Sequence, residues 1–144
     1  MGKVEDIENE IIEEFELFDD WSDKYHYIIE IGQKLPRLED KYKVDDNRIK
    51  GCQSNVWLHA YNHNGKIFFK ADSDSTFVKG EIALLIRVLS DKTAEEILST
   101  NLPFVDRIGL RQHVAVTRAN GLAAMIKQMK LYALGLATEN TNEN

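Results

Sequence analysis

Val56-Trp57-Leu58-His59-Ala60-Tyr61-Asn62-His63, then Asn64-Gly65, then Lys66-Ile67-Phe68-Phe69-Lys70-Ala71, is the stretch around which the architecture is built. Val56, Leu58 and Ala60 alternate with Trp57, His59 and Tyr61, the period of two that marks a strand with two unlike faces. Asn-Gly between two such runs supplies the two positive-φ residues that a type I′ turn requires. The stretch predicts an antiparallel hairpin with one face to be covered.

Working upstream, Arg48-Ile49-Lys50 reads as a short additional strand, so the sheet is expected to have about three strands. Between it and the hairpin lies Gly51-Cys52-Gln53-Ser54-Asn55, which carries the only cysteine of the chain. Gly51 gives the backbone the freedom a tight connection needs, and Ser54 and Asn55 are turn formers. Cys52 is therefore presented where a rigid strand begins. Functional groups concentrate on such scaffold-held loops.

Further upstream, Val4, Ile7, Ile11, Phe15 and Phe18 fall at helical spacing among acidic residues, which predicts an amphipathic helix over residues 3–18. Asp19 and Asp20 can cap a second helix that carries Trp21, Tyr25, Ile28, Ile29 and Gly32 on one face and stops before Pro36. So short a link predicts that the two pack as a helical hairpin. Residues 37–47 have little apolar pattern and read as an exposed connection.

Downstream, Asp72-Ser73-Asp74-Ser75-Thr76 supplies capping oxygens for a helix that runs to about Leu89, and Asp72 and Asp74 are expected to serve as caps. A calcium loop would want Gly and Glu where Phe77 and Ala83 stand. Thr93-Ala94-Glu95-Glu96 is a capping box. Leu102-Pro103-Phe104 begins a turn that stops near Gly109. Thr117 is expected to cap a last helix with Leu122, Met125, Ile126, Met129 and Tyr132 buried and Gly135 as its stop. Residues 138–144 are polar and are expected to form a disordered tail. Helices, then a sheet, then helices again argue for an α+β fold in one domain over residues 1–137.

At 144 residues the chain is long enough to bury roughly 68–70% of its unfolded surface without staples. One cysteine precludes an internal disulfide, and the polar, acidic opening residues show no apolar core of a secretory signal. A cytoplasmic setting is therefore expected. No run approaches the ~20 apolar residues of a membrane span. The net charge of −6 argues against nucleic acid as a partner and favours proteins.

Three segments together resemble the SufE family, sulfur acceptors that take a persulfide from a cysteine desulfurase during iron-sulfur cluster assembly. They are Gly51-Cys52-Gln53-Ser54-Asn55-Val56-Trp57, Asp72-Ser73-Asp74 leading to Phe77-Val78-Lys79-Gly80, and Thr117-Arg118-Ala119-Asn120-Gly121-Leu122. The likeness extends over residues 5–135. Ala71 stands where the family usually has Gly, and Thr117 and Ala119 where it usually has Ser. The resemblance implies a SufE/NifU-like fold and Cys52 as the persulfide-carrying residue. Gly51, Gln53, Asp74 and Arg118 are its implied supporting or partner-binding residues. The implied donor is a SufS-type, pyridoxal-phosphate cysteine desulfurase, and the implied acceptor a SufB-containing scaffold complex. The chain itself would bind no cofactor and no metal. It would activate an enzyme without being one. A related branch, CsdE-like, serves a different desulfurase through a similar turn. The residues leave a homodimer open.

The chemistry of the residues agrees with this resemblance. Persulfide transfer is a relative of thiol-disulfide exchange and needs one thiolate and no metal. Reference thiols ionise near ~8.5, so nearby amides or cations must favour the thiolate when donor is present; Lys50 is the nearest cation in sequence. To dock, the Cys52 turn would have to swing outward, a motion Gly51 permits. A cluster scaffold would want several thiolates. His59 and His63, four apart on a strand, lie ~13 Å from each other, too far to share a metal. A cysteine hydrolase would need His59, His63 or His113 as base.

Overall fold

The computed structural model describes residues 3–137, less the side chains of residues 116 and 117; the tail expected over 138–144 lies outside the described residues. Among the described residues there are six helices and a two-stranded antiparallel sheet, which makes the fold α+β. In chain order these are α1 (Val4–Phe15), α2 (Trp21–Gln33), β1 (Val56–His63), β2 (Lys66–Ser73), α3 (Thr76–Leu89), α4 (Ala94–Ser99), α5 (Phe104–Arg107) and α6 (Val116–Leu136). No helix among the described residues is long and apolar enough to cross a membrane.

The hairpin forms as its sequence dictates. Asn64 and Gly65 have φ of 56° and 87°, and the register pairs Leu58 with Ala71 and Ala60 with Phe69. Val56, Leu58, Ile67, Phe69 and Ala71 are buried on one face. The third strand is not formed. Arg48 makes a single bridge to Trp57, and the Ile49 amide donates to the Val56 carbonyl at 2.8 Å. A 3₁₀ turn at Asp45–Asn47 closes just before this rung, and Gly51, at φ 92°, turns the chain away just after it. Too little extended backbone is left for a ladder.

α3 is the hub of the molecule, with Phe77, Ile82, Leu84, Leu85, Val88 and Leu89 all buried. The expected α1–α2 hairpin is replaced by a shared dependence on this helix. α1 and α2 meet at Tyr27, whose ring lies edge-on to Phe15 at 5.1 Å, while α2 packs mainly on α3 and α1 divides its packing between α3 and α5. Two glycines explain the closeness of α2. A Cβ on Gly32 would lie 2.6 Å from the Gly80 nitrogen, and one on Gly80 would run into the Ile28 carbonyl. Glu14 of α1 ties the three helices together by accepting from Tyr27 at 2.7 Å and from Arg87 at 2.9 and 2.6 Å.

The expected exposed connection over 37–47 contains two 3₁₀ turns and buries Leu38, and its Tyr42 stacks on His59 across the outer sheet face at 3.8 Å. Thr93 and Glu96 form the capping box reciprocally, as their spacing predicts. α6 starts one residue before Thr117, with Ala115 in the cap position, and runs through Gly135 to Leu136. Thr117 is thus inside the helix, and Gly135, away from positive φ, does not stop it. The buried stripe of α6 is Leu122, Met125, Met129 and Ala133, with Ile126 and Tyr132 half-buried beside it.

Candidate functional site

The turn that bears Cys52 hangs between two posts on the sheet. At its start stands the Ile49–Val56 rung. At its end Asn55 is held on both sides by Asp74. Its amide donates to Asp74 Oδ1 at 3.1 Å, its side-chain amide to Oδ2 at 2.8 Å, and its carbonyl accepts from the Asp74 amide at 3.2 Å and the Ser73 hydroxyl at 2.8 Å. Asp74 is therefore not the cap of α3. Ser75 takes that part by accepting from the Val78 amide at 3.3 Å. Asp72 is not a cap either. It is buried at the end of β2 and paired with Lys43 at 2.8 Å and Lys79 at 3.3 Å.

Across from the turn lies the first part of α6. Gly121 has no side chain, so Cys52 comes close: a Cβ there would sit 3.6 Å from Sγ and 3.9 Å from the Cys52 Cα. The Cys52 thiol donates to the Gly121 carbonyl at 3.6 Å. Around it is a cavity of about 90 Å³, lined by Cys52, Gln53 and Ser54 from the turn, Val78 and Glu81 from α3, and Arg118, Gly121 and Met125 from α6. The Arg118 guanidinium is 4.9 Å from the centre of the Phe77 ring, which in turn stacks on Tyr25 at 4.6 Å.

Electrostatically the cavity keeps Cys52 protonated at rest. Burial pushes its thiol above the usual range, and the nearby Glu81 adds to the rise. Glu81 is 1% exposed, and burial lifts its carboxyl to about 8, with Arg118 pulling the other way. Its Oε2 has no hydrogen-bond partner. Attack by a thiol so placed would require removal of its proton first.

Of the residues expected from sequence, Cys52, Gln53 and Arg118 share this cavity. Gly51 supplies the bend and Asp74 the far post. Lys50 is exposed and does not line the cavity. Among the described residues no histidine lines it: His59 stacks on Tyr42, and His113 stacks on Trp21 at 4.8 Å. Nor do any three His, Cys, Asp or Glu side chains gather there to hold a metal ion. Glu81 and Gly121 were not singled out in sequence. Glu81 did leave a signal, since it is the lone carboxylate of α3 and stands directly before the apolar run Ile82-Ala83-Leu84-Leu85-Ile86.

Fold and site together define a class: a small α+β domain that sets a single thiol at the entry of a strand, over a cavity closed by a helix. The family model described as "SufE: Fe-S metabolism associated domain" matches residues 9–133. The chain belongs to the SufE family, and its role lies in iron-sulfur metabolism. It is 36% identical over 132 residues to an uncharacterised SufE-like protein of Rhizobium meliloti, covering 88% of this chain and 94% of that one. A second uncharacterised SufE-like protein, from Rhizobium etli, is 35% identical over 127 residues, covering 85% of this chain and 86% of its own. The fold is also that of a hypothetical protein from Thermus thermophilus solved in solution. There the TM-score is 0.77 at 20% identity, over 96% of this chain and 100% of that one.

Proposed function

We propose that the chain is a sulfur acceptor and carrier, in which Cys52 takes the outer sulfur of a cysteine desulfurase persulfide and hands it to an iron-sulfur cluster scaffold. The observation that carries this is the chain's single thiol, held on a turn with two fixed posts over a cavity with room for one more small group. In the transfer the Cys52 thiolate attacks the outer sulfur of the donor. A sulfur–sulfur bond forms to Cys52, the donor's own sulfur–sulfur bond breaks, and the donor cysteine departs as a thiolate that takes up the displaced proton. An acceptor thiolate repeats the step in the other direction. No net oxidation occurs.

Because the resting thiol is protonated and half-buried, docking must draw the turn out of its cavity before attack. The family resemblance makes a SufS-type desulfurase the donor and a SufB-containing complex the acceptor, with a CsdE-like pairing as the alternative. The pyridoxal phosphate and the carbon–sulfur cleavage belong to the desulfurase. This chain drains the product sulfur in the cytoplasm, which raises the partner's turnover, and binds no cofactor of its own.

Mass spectrometry after incubation with desulfurase and cysteine is expected to show one reducible sulfur added at Cys52. The Cys52→Ser variant should fold and bind the desulfurase yet neither gain sulfur nor stimulate turnover. Stimulation retained in that variant would exclude the carrier role.

A further inference from the structure

Glu81 stands out because a carboxyl that is 1% exposed has one oxygen with no partner and lies on the wall of the cavity that holds Cys52. Leaving a buried polar atom unpaired destabilises a fold, so one is kept where something else completes it. The carboxyl stands beside the apolar lining of Val78, Gly121 and Met125, none of which offers its free oxygen a side-chain partner. The cavity is also larger than the resting thiol needs, at about 90 Å³.

We propose that Glu81 binds the cargo: once Cys52 is loaded, the second sulfur lies in this cavity and accepts a hydrogen bond from the Glu81 carboxyl. This rests on the carrier reading above and names the residue that retains the sulfur. The protonated acid is the donor, so the bond holds while Glu81 keeps its proton. Above about pH 8 the carboxylate faces the sulfur with like charge and the hold is lost. Among the described residues, Arg118 of α6 is the charged group that acts on Glu81, and Cys52 is its titratable neighbour on the turn. α1, α2 and β2, packed on the other sides of α3, bring no charge that shifts it.

The test loads the full chain chemically with inorganic polysulfide, without a desulfurase. It then measures by mass spectrometry the exchange equilibrium with a small thiol, in which Cys52–S–SH and the thiol exchange for Cys52–SH and the small-molecule persulfide. Three proteins are compared on both sides of pH 8: wild type, Glu81→Gln, which keeps a donor and cannot ionise, and Glu81→Leu, which has neither. Wild type and Glu81→Gln should retain sulfur equally at lower pH, and wild type should fall about tenfold behind at higher pH, the worth of one charge-assisted hydrogen bond. Glu81→Leu should hold about tenfold less than Glu81→Gln throughout. A wild-type to Glu81→Gln ratio that stays level across the range overturns the proposal, and that comparison decides alone if Glu81→Leu does not fold. Failure of the desulfurase to load wild type would instead strike the carrier reading, because the chemical loading does not involve it.

Discussion

Asp74 shows how a single side chain can set the tension of a functional turn. It takes two donors from Asn55 and so fixes the end of the Cys52 turn to the start of α3. Replacing it by Ala should leave the fold intact while freeing the Asn55 amide, a loss of about 1–2 kcal/mol that is confined to the turn. Hydrogen exchange over residues 51–55 should then quicken several-fold with no change at β2; unchanged exchange would mean the clamp is idle. The same residue marks a limit of sequence reading. Asp before a helix reads as a cap, and only the path of the chain shows that Ser75, one position on, takes that place. The placement of Cys52 on a turn at the entry of β1 was legible from its turn-forming neighbours, whereas its role as carrier rests on the family resemblance, since a lone thiol reads as readily as a small buried hydrophobe. Glu81 left only the signal of a lone carboxylate in α3, and its burial follows from how the Cys52 turn and α6 lie over that face of the helix, which local spacing does not reveal.

Helix α3 is held against α2 by the absence of two side chains. Gly80→Ala puts a methyl group into the Ile28 backbone, which cannot yield as a flexible side chain would. Overpacking of this kind costs about 1–3 kcal/mol or more, and the denaturant midpoint should fall accordingly. A midpoint equal to wild type would show that α2 moves aside freely. Local patterns were sufficient for the hairpin and the capping box, where the deciding chemistry lies within a few residues. They failed for the third strand, because Arg48–Ile49 has strand-like residues but is closed off by turns on both sides. They failed too for the start and end of α6, where Ala115 stands as cap and Gly135 stays helical, since neither Thr nor Gly is obliged to end a helix that packing carries further.

For the whole molecule, the buried acid makes stability depend on pH in a direction opposite to that of most carboxylates. The folded state holds the Glu81 proton up to about pH 8, whereas the unfolded chain releases it near 4.5. Between these values the folded state binds more protons, so this group's contribution to stability falls as pH rises from about 4.5 to about 8 and is level beyond. Glu14 acts the other way. The Arg87 hydrogen bonds hold it below the usual carboxylate range, so its contribution is present above the unfolded pKa and is lost as pH falls through the lower folded value. Glu81→Gln should therefore gain on wild type in melting temperature as the solution is taken from mildly acidic to mildly alkaline. A constant gap between the two would show that Glu81 is ionised in the fold.

The two posts also set a geometric limit. Cys52 is three residues from Ile49 and three from Asn55, so with both ends fastened its backbone can travel no further than about 10 Å from either. The sulfur is on a short leash and not at the tip of an arm. On the proposed carrier reading, a partner would have to bring its own cysteine to within that radius plus the reach of the Cys52 side chain, so a shallow receiving cleft is expected.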